Sequence, residues 1–150
     1  MNTTVIFLPN QMTVMIRTYT ELLKLITFED RYKYLKLVGR VGLQHFVGEE
    51  RNLNQTFYHS DEWKSVRDRV VIRDECLDLG CRDYQIFGTP IVHHMNPITV
   101  HDLLDYNPEI LDPEFLITTS TATHLAIHYG DEHLLPRLPS RRRPGDTKIW

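Results

Sequence analysis

Cysteine is scarce: Cys76 and Cys81, in the stretch DECLDLGCRD, are the only two in 150 residues. That excludes a disulfide framework and a four-cysteine zinc site, and it fits an intracellular, reducing compartment. Long hydrophobic runs are also missing. The opening MNTTVIFLPNQMTV contains one short apolar run, Val5 to Leu8, with no basic segment before it, so it does not read as a secretory signal. No stretch approaches the roughly 18 consecutive apolar residues of a membrane span, and no membrane association is expected. Charge of one sign is lacking as well. A formal net charge of -3 with eight histidines counted as neutral carries no general mark of a nucleic-acid binder, so any such surface must be local.

What is present suits one compact domain. A chain of 150 residues that is 41% hydrophobic is long enough to bury a core, and a second full domain is not expected. Helical periodicity starts at Met15 in MIRTYTELLKL, which leaves residues 1–14 as a non-core N-terminal extension. Thr20 is positioned to cap a helix beginning at Glu21, with Leu22, Leu23, Leu25 and Ile26 as its apolar side. Thr27, with Asp30 three residues on, repeats the signal for a helix through Tyr32 and Leu35 that stops near Gly39. Residues 39–58 read as irregular. In HSDEWKSVRDRVVIRDE, Ser60 caps a helix, Asp61 and Glu62 suit its N-terminal dipole, and Trp63, Val66 and Val70 recur at helical spacing. Residues 15–75 thus form a helical N-terminal part.

DYQIFGTPIVHHM follows, with two β-prone runs, Tyr84 to Phe87 and Pro90 to His93, split by Gly88 and Thr89. This is the pattern of a hairpin, with His93 and His94 at the end of its second strand. Alternation along a strand sends one imidazole to each face unless the backbone bends there. HDLLDY predicts a helical turn, LDPEFLITT leads back to the core, and a last helix is expected from Ser120 or Thr121 to Gly130. The remainder, LLPRLPSRRRPGDTKIW, has three prolines and reads as an extended tail over residues 136–150.

His124 and His128 lie four apart on that last helix and share one face, a spacing at which two imidazoles bind one metal ion. A zinc-protease reading needs Glu directly after the first His, and Leu125 stands there, so it is excluded. A helix that supplies two ligands and no base needs the rest from elsewhere, and the paired His93 and His94 could supply both. The alternative is that His93 and His94 are polar residues at a strand end and that His124 and His128 belong to a surface helix.

At this point the pattern resembles the HNH endonucleases, the ββα-metal or His-Me finger nucleases, and among them small phage-encoded members. IVHHMNPITVHDLL, EILDPEFLITT, THLAIHYGDE and RRPGDTKIW carry the likeness, supported by LNQTFYHSDEWKSVRD and YLKLVGRVG, and it runs from about Met15 to Trp150. It implies an α+β fold in which N-terminal helices pack on a ββα-metal (HNH) finger over residues 76–135, followed by the extended C-terminal tail. It further implies that His93, His124 and His128 are metal ligands and that His94 is the general base for the attacking water. Such enzymes use one divalent ion (zinc, nickel, magnesium or manganese) and leave 5′-phosphate and 3′-hydroxyl ends.

Three departures accompany the resemblance. The family's loop-pinning asparagine aligns with Phe115, whose side chain has no hydrogen-bonding group, so either the ring packs the loop or the site is looser. Leu125 replaces a polar residue and is expected to face the core. Relatives often carry two CxxC pairs around a structural zinc, but here four residues separate Cys76 from Cys81 and no cysteine occurs among Thr118 to Thr121. The zinc ribbon is therefore absent, and both cysteines read as buried or partly buried thiols.

DNA contact is expected through phosphates. Candidates are Arg67, Arg69 and Arg73 ahead of the hairpin and Arg137, Arg141, Arg142, Arg143 and Lys148 in the tail; the alternatives are a solvated charged helix face and a solvated tail. The first functional reading is a metal-dependent phage DNA endonuclease in the host cytoplasm, in genome processing or packaging beside terminase or portal proteins, a role that rests on family analogy. The second is a catalytically weakened HNH-fold accessory that binds DNA or protein, favoured by Phe115. A third is a metal-stabilised structural domain, which has no use for an adjacent, non-ligating His94.

Overall fold

The computed structural model describes residues 15–37, 48–81 and 84–136. They form an α+β fold of short helices and two small antiparallel sheets: α1 (Tyr19–Leu23), α2 (Phe28–Leu35), α3 (Glu49–His59), α4 (Asp61–Arg73), β1 (Leu77–Asp78), β2 (Tyr84–Gln85), β3 (Ile91–His94), α5 (Val100–Leu104), β4 (Leu116–Thr119) and α6 (Thr121–Tyr129). Short 3-10 turns occupy Leu79–Cys81, Pro108–Leu111, Pro113–Phe115 and Glu132–Leu134. No described helix is long and apolar enough to cross a membrane. The N-terminal extension, the expected stop near Gly39 and the basic tail from residue 137 onward lie outside the described residues.

Local capping chemistry sets most helix starts. Thr27, Ser60 and Ser120 each accept a backbone N–H of the first turn, from Asp30, Trp63 and Thr123 respectively, satisfying donors that the helix leaves orphaned. Gly130 closes α6 in the left-handed conformation at φ 65°. Two expectations need correction here. The cap of α1 is Thr18 and not Thr20, because Thr18 is extended and its hydroxyl accepts the Glu21 N–H, while its own N–H is held by the Tyr34 hydroxyl at 2.8 Å. Residues 49–58, expected to be irregular, are helical in α3: Glu49 and Glu50 favour its N-terminus, and packing against α4 and α5 outweighs the weak helix propensity of its asparagines and threonine.

The expected hairpin does not form. Tyr84–Gln85 pairs with Leu77–Asp78, whereas Ile91–His94 pairs with the distant Leu116–Thr119 in the register Ile91 to Thr119, Val92 to Thr118, His93 to Ile117 and His94 to Leu116. Burial explains the choice. Every residue of β4 is buried, while Phe87 of the expected first strand is 82% exposed, so pairing β3 with β4 removes far more apolar surface from water. The β3–β4 ribbon then has a cluster on each face. Leu22, Leu35, Leu37, Leu79, Met95, Ile117 and Ile127 form one, and Trp63, Val66, Val70, Val92 and Leu116 form the other.

Candidate metal centre

Because β4 runs directly into α6, the helix lies against the ribbon and its first turn is held by buried acid. Asp78 has no exposed surface; its carboxylate accepts the Ser120 N–H at 3.1 Å, the Thr123 hydroxyl at 2.6 Å and the Gly80 N–H at 3.1 Å. One turn earlier Asp74, also buried, accepts the Thr118 N–H of β4 at 2.8 Å. Burial raises the Asp78 carboxyl, and the bonds from Ser120, Thr123 and Gly80 oppose that rise.

These anchors set His124 and His128, one turn apart on α6, over His93 of β3. The His93 ring lies 5.2 Å from that of His124 and 5.0 Å from that of His128, and the last two are 4.4 Å apart, centroid to centroid. One nitrogen from each of the three falls within 4.8 Å of the others, so the cluster could hold a metal ion. His93 is 2% exposed and its Nε2 is buried with no hydrogen-bond partner. Such an orphan destabilises a fold by about 1–3 kcal/mol, and coordination of a cation by a neutral imidazole would relieve it.

The electrostatics agree with a ligand role. Burial, then the neighbouring His124, His128, His94 and Arg17, hold His93 well below the usual imidazole range. Burial and then His128 bring His124 down to about 4, and burial lowers His128. All three are neutral near pH 7, the form in which imidazole ligates.

His94 goes elsewhere. Strand alternation places it on the α4 side of the ribbon, where its ring stacks on Trp63 at 4.9 Å and 19°, with Phe57 and Tyr58 at 6.1 and 6.2 Å. Its Nε2 is 2.8 Å from the Ile110 carbonyl. A carbonyl only accepts, so Nε2 carries the proton and Nδ1 is the basic nitrogen. Burial pushes the group down to about 4, although the Ile110 bond favours its charged form.

Phe115 ends the Pro113–Phe115 turn, partly buried, and the loop that the family's asparagine would pin from this position is tied here by main chain: the Met95 N–H donates to the Phe115 carbonyl at 3.0 Å. Leu125, expected to face the core, is 39% exposed, because Thr123, Ala126 and Ile127 take the inward face of α6. Both cysteines are free, Cys76 half-buried and Cys81 buried.

Among the arginines expected at DNA, Arg67 is exposed and pairs with its neighbour Asp68 at 2.8 Å, and Arg69 is exposed. Arg73 is directed inward instead. It donates to the Pro113 and Leu116 carbonyls at 2.8 Å each and to Asp74 at 2.7 Å, and its guanidinium lies 3.6 Å from the Tyr19 ring centroid. A fork engaged at that many points is a structural clamp and not a free phosphate contact. Arg137, Arg141, Arg142, Arg143 and Lys148 fall outside the described residues.

Sequence reasoning missed Asp74, Asp78, Arg17 and the Ile110 carbonyl. Each acts through a partner distant in the chain, and a main-chain carbonyl leaves no signal in residue type. Comparison of the chain with known protein families, curated proteins and solved structures finds no match at a significant level.

Proposed function

We propose that this protein is a metal-dependent DNA endonuclease of the HNH, ββα-metal type. The observation that carries the reading is a set of three imidazoles, one nitrogen of each within 4.8 Å of the others, offered by an antiparallel strand pair and the helix that follows it, with Nε2 of His93 buried and unpartnered. His93, His124 and His128 would hold one divalent ion; three imidazoles suit zinc or nickel in affinity, and magnesium or manganese are the other candidates for turnover. When bound, such an ion supplies positive charge against the scissile phosphate and the departing 3′-oxygen. The resemblance assigns proton transfer to His94, whose Nδ1 is the nitrogen not engaged by the Ile110 carbonyl, while its ring lies on the opposite face of the ribbon from the three ligand histidines. Exposed Arg67 and Arg69, with the basic tail, are proposed to meet phosphates. By the resemblance to phage members, the setting is the host cytoplasm during genome processing or packaging, beside terminase or portal proteins.

A second reading, a metal-stabilised HNH-like accessory that binds DNA or protein without cutting, is favoured by one observation. His94 is packed against Trp63, Phe57 and Tyr58 and is pushed to about 4, which weakens it as a base. A plasmid-nicking assay separates the two, run with EDTA and then with magnesium, manganese, nickel or zinc. Metal-dependent conversion of supercoiled DNA that disappears in His94→Ala, with metal still bound, supports the nuclease. Metal binding without cleavage under any ion sinks it in favour of the accessory.

A further inference from the structure

Arg73 was expected at DNA, and its position points to a different task. Its two terminal nitrogens bond the carbonyls at both ends of the Pro113–Leu116 segment, at 2.8 Å each. Its Nε and Nη2 bond the buried carboxylate of Asp74, and Asp74 in turn accepts the Thr118 N–H of β4. The guanidinium is covered on one face by Tyr19, and the side chain is 25% exposed. The clamp grips the descending leg of the β3–β4 loop, whose successive turns are chained by backbone bonds: Asp112 N–H to the Glu109 carbonyl at 3.2 Å and Phe115 N–H to the Asp112 carbonyl at 3.1 Å. Three residues before Pro113, that leg presents the Ile110 carbonyl to Nε2 of His94. Phe115 has no side-chain hydrogen-bonding group to tie the leg.

We propose that Arg73 is a positioning residue for His94: by fixing the Pro113 and Leu116 carbonyls it holds the Ile110 carbonyl where it selects the Nε2–H tautomer and orients the ring. The inference rests on the nuclease reading for its catalytic consequence. Its structural content, which nitrogen of His94 carries the proton and what keeps it there, stands apart from that reading. Lysine cannot replace the arginine, because a single ammonium does not span two carbonyls and a carboxylate with planar geometry.

The test uses the full chain, as wild type and as Arg73→Lys, with long-range nitrogen–proton NMR of the histidine rings, zinc titration, and plasmid nicking in the supporting metal. Expected are a single Nε2–H tautomer for His94 in the wild type and a mixture of tautomers in Arg73→Lys. Zinc affinity should be unchanged, since none of its ligands lies on the clamped leg. Turnover should fall on the order of 100-fold, as expected for a misoriented catalytic group, with KM unchanged. A merely structural role would lower the melting temperature of the variant and leave the His94 tautomer intact, and that result overturns the proposal. So does a wild-type His94 with its proton on Nδ1, a measurement that needs no variant to fold. If the wild type cuts no DNA, the nuclease reading falls, while the tautomer comparison still decides what Arg73 does.

Discussion

Acid should destabilise the metal-free protein along a slope to which His94 contributes a separable part. In the unfolded chain its imidazole titrates near the ordinary 6.5, whereas in the fold burial brings it to about 4. A depressed folded value means that the unfolded chain takes up the proton first, so the stability is fully present above pH 6.5 and declines as pH falls toward 4. With about 1.36 kcal/mol per unit of displacement, His94 alone removes roughly 3 kcal/mol across that window, a sizeable part of the 5–15 kcal/mol by which folds of this size are stable. His93, His124 and His128 are displaced in the same direction, so the total loss is larger and His94 accounts for only its own share. Urea unfolding in EDTA at pH 7, 5.5 and 4 measures the slope directly. His94→Phe keeps an aromatic ring on Trp63 and removes the titration, so its curve should flatten between pH 6.5 and 4, even though loss of the Ile110 bond lowers its stability at pH 7. An identical pH slope in wild type and His94→Phe would refute the assignment of a buried, neutral His94.

Other outcomes follow from the same geometry. Zinc should raise the melting temperature by mass action, worth about 2.7 kcal/mol at a hundredfold excess over Kd, and the rise should vanish in His124→Ala and His128→Ala; differential scanning fluorimetry with and without EDTA checks both. Thr118 keeps a buried hydroxyl oxygen without a partner, so Thr118→Val should be neutral or stabilising by up to about 1 kcal/mol in urea unfolding. At Gly80 an added Cβ would lie 2.5 Å from Cγ2 of Thr123 in the first turn of α6, so Gly80→Ala should destabilise by roughly 1–3 kcal/mol and weaken zinc binding by shifting the helix that carries His124 and His128. Calorimetric zinc titration reads the second effect, and an unaltered affinity would mean that α6 is not placed from this turn.

What the sequence determined by itself was local. Thr27, Ser60 and Ser120 announce helix starts because a capping bond closes within a few residues, and Gly130 ends α6 because it readily adopts positive φ. The shared face of His124 and His128 follows from 3.6 residues per turn, and the opposed faces of His93 and His94 from strand alternation. Tertiary structure decided the rest, since it depends on partners far along the chain. Tyr84–Phe87 has the better local hairpin pattern with β3, yet the buried Leu116–Thr119 takes that place because it covers both faces of the ribbon with apolar side chains. The same non-local packing made α3 helical, left Leu125 in solvent and turned Arg73 inward onto main-chain carbonyls. It also brought one buried imidazole of β3 against two on α6: the residue types were legible in the sequence, but the distance between them belonged to the fold.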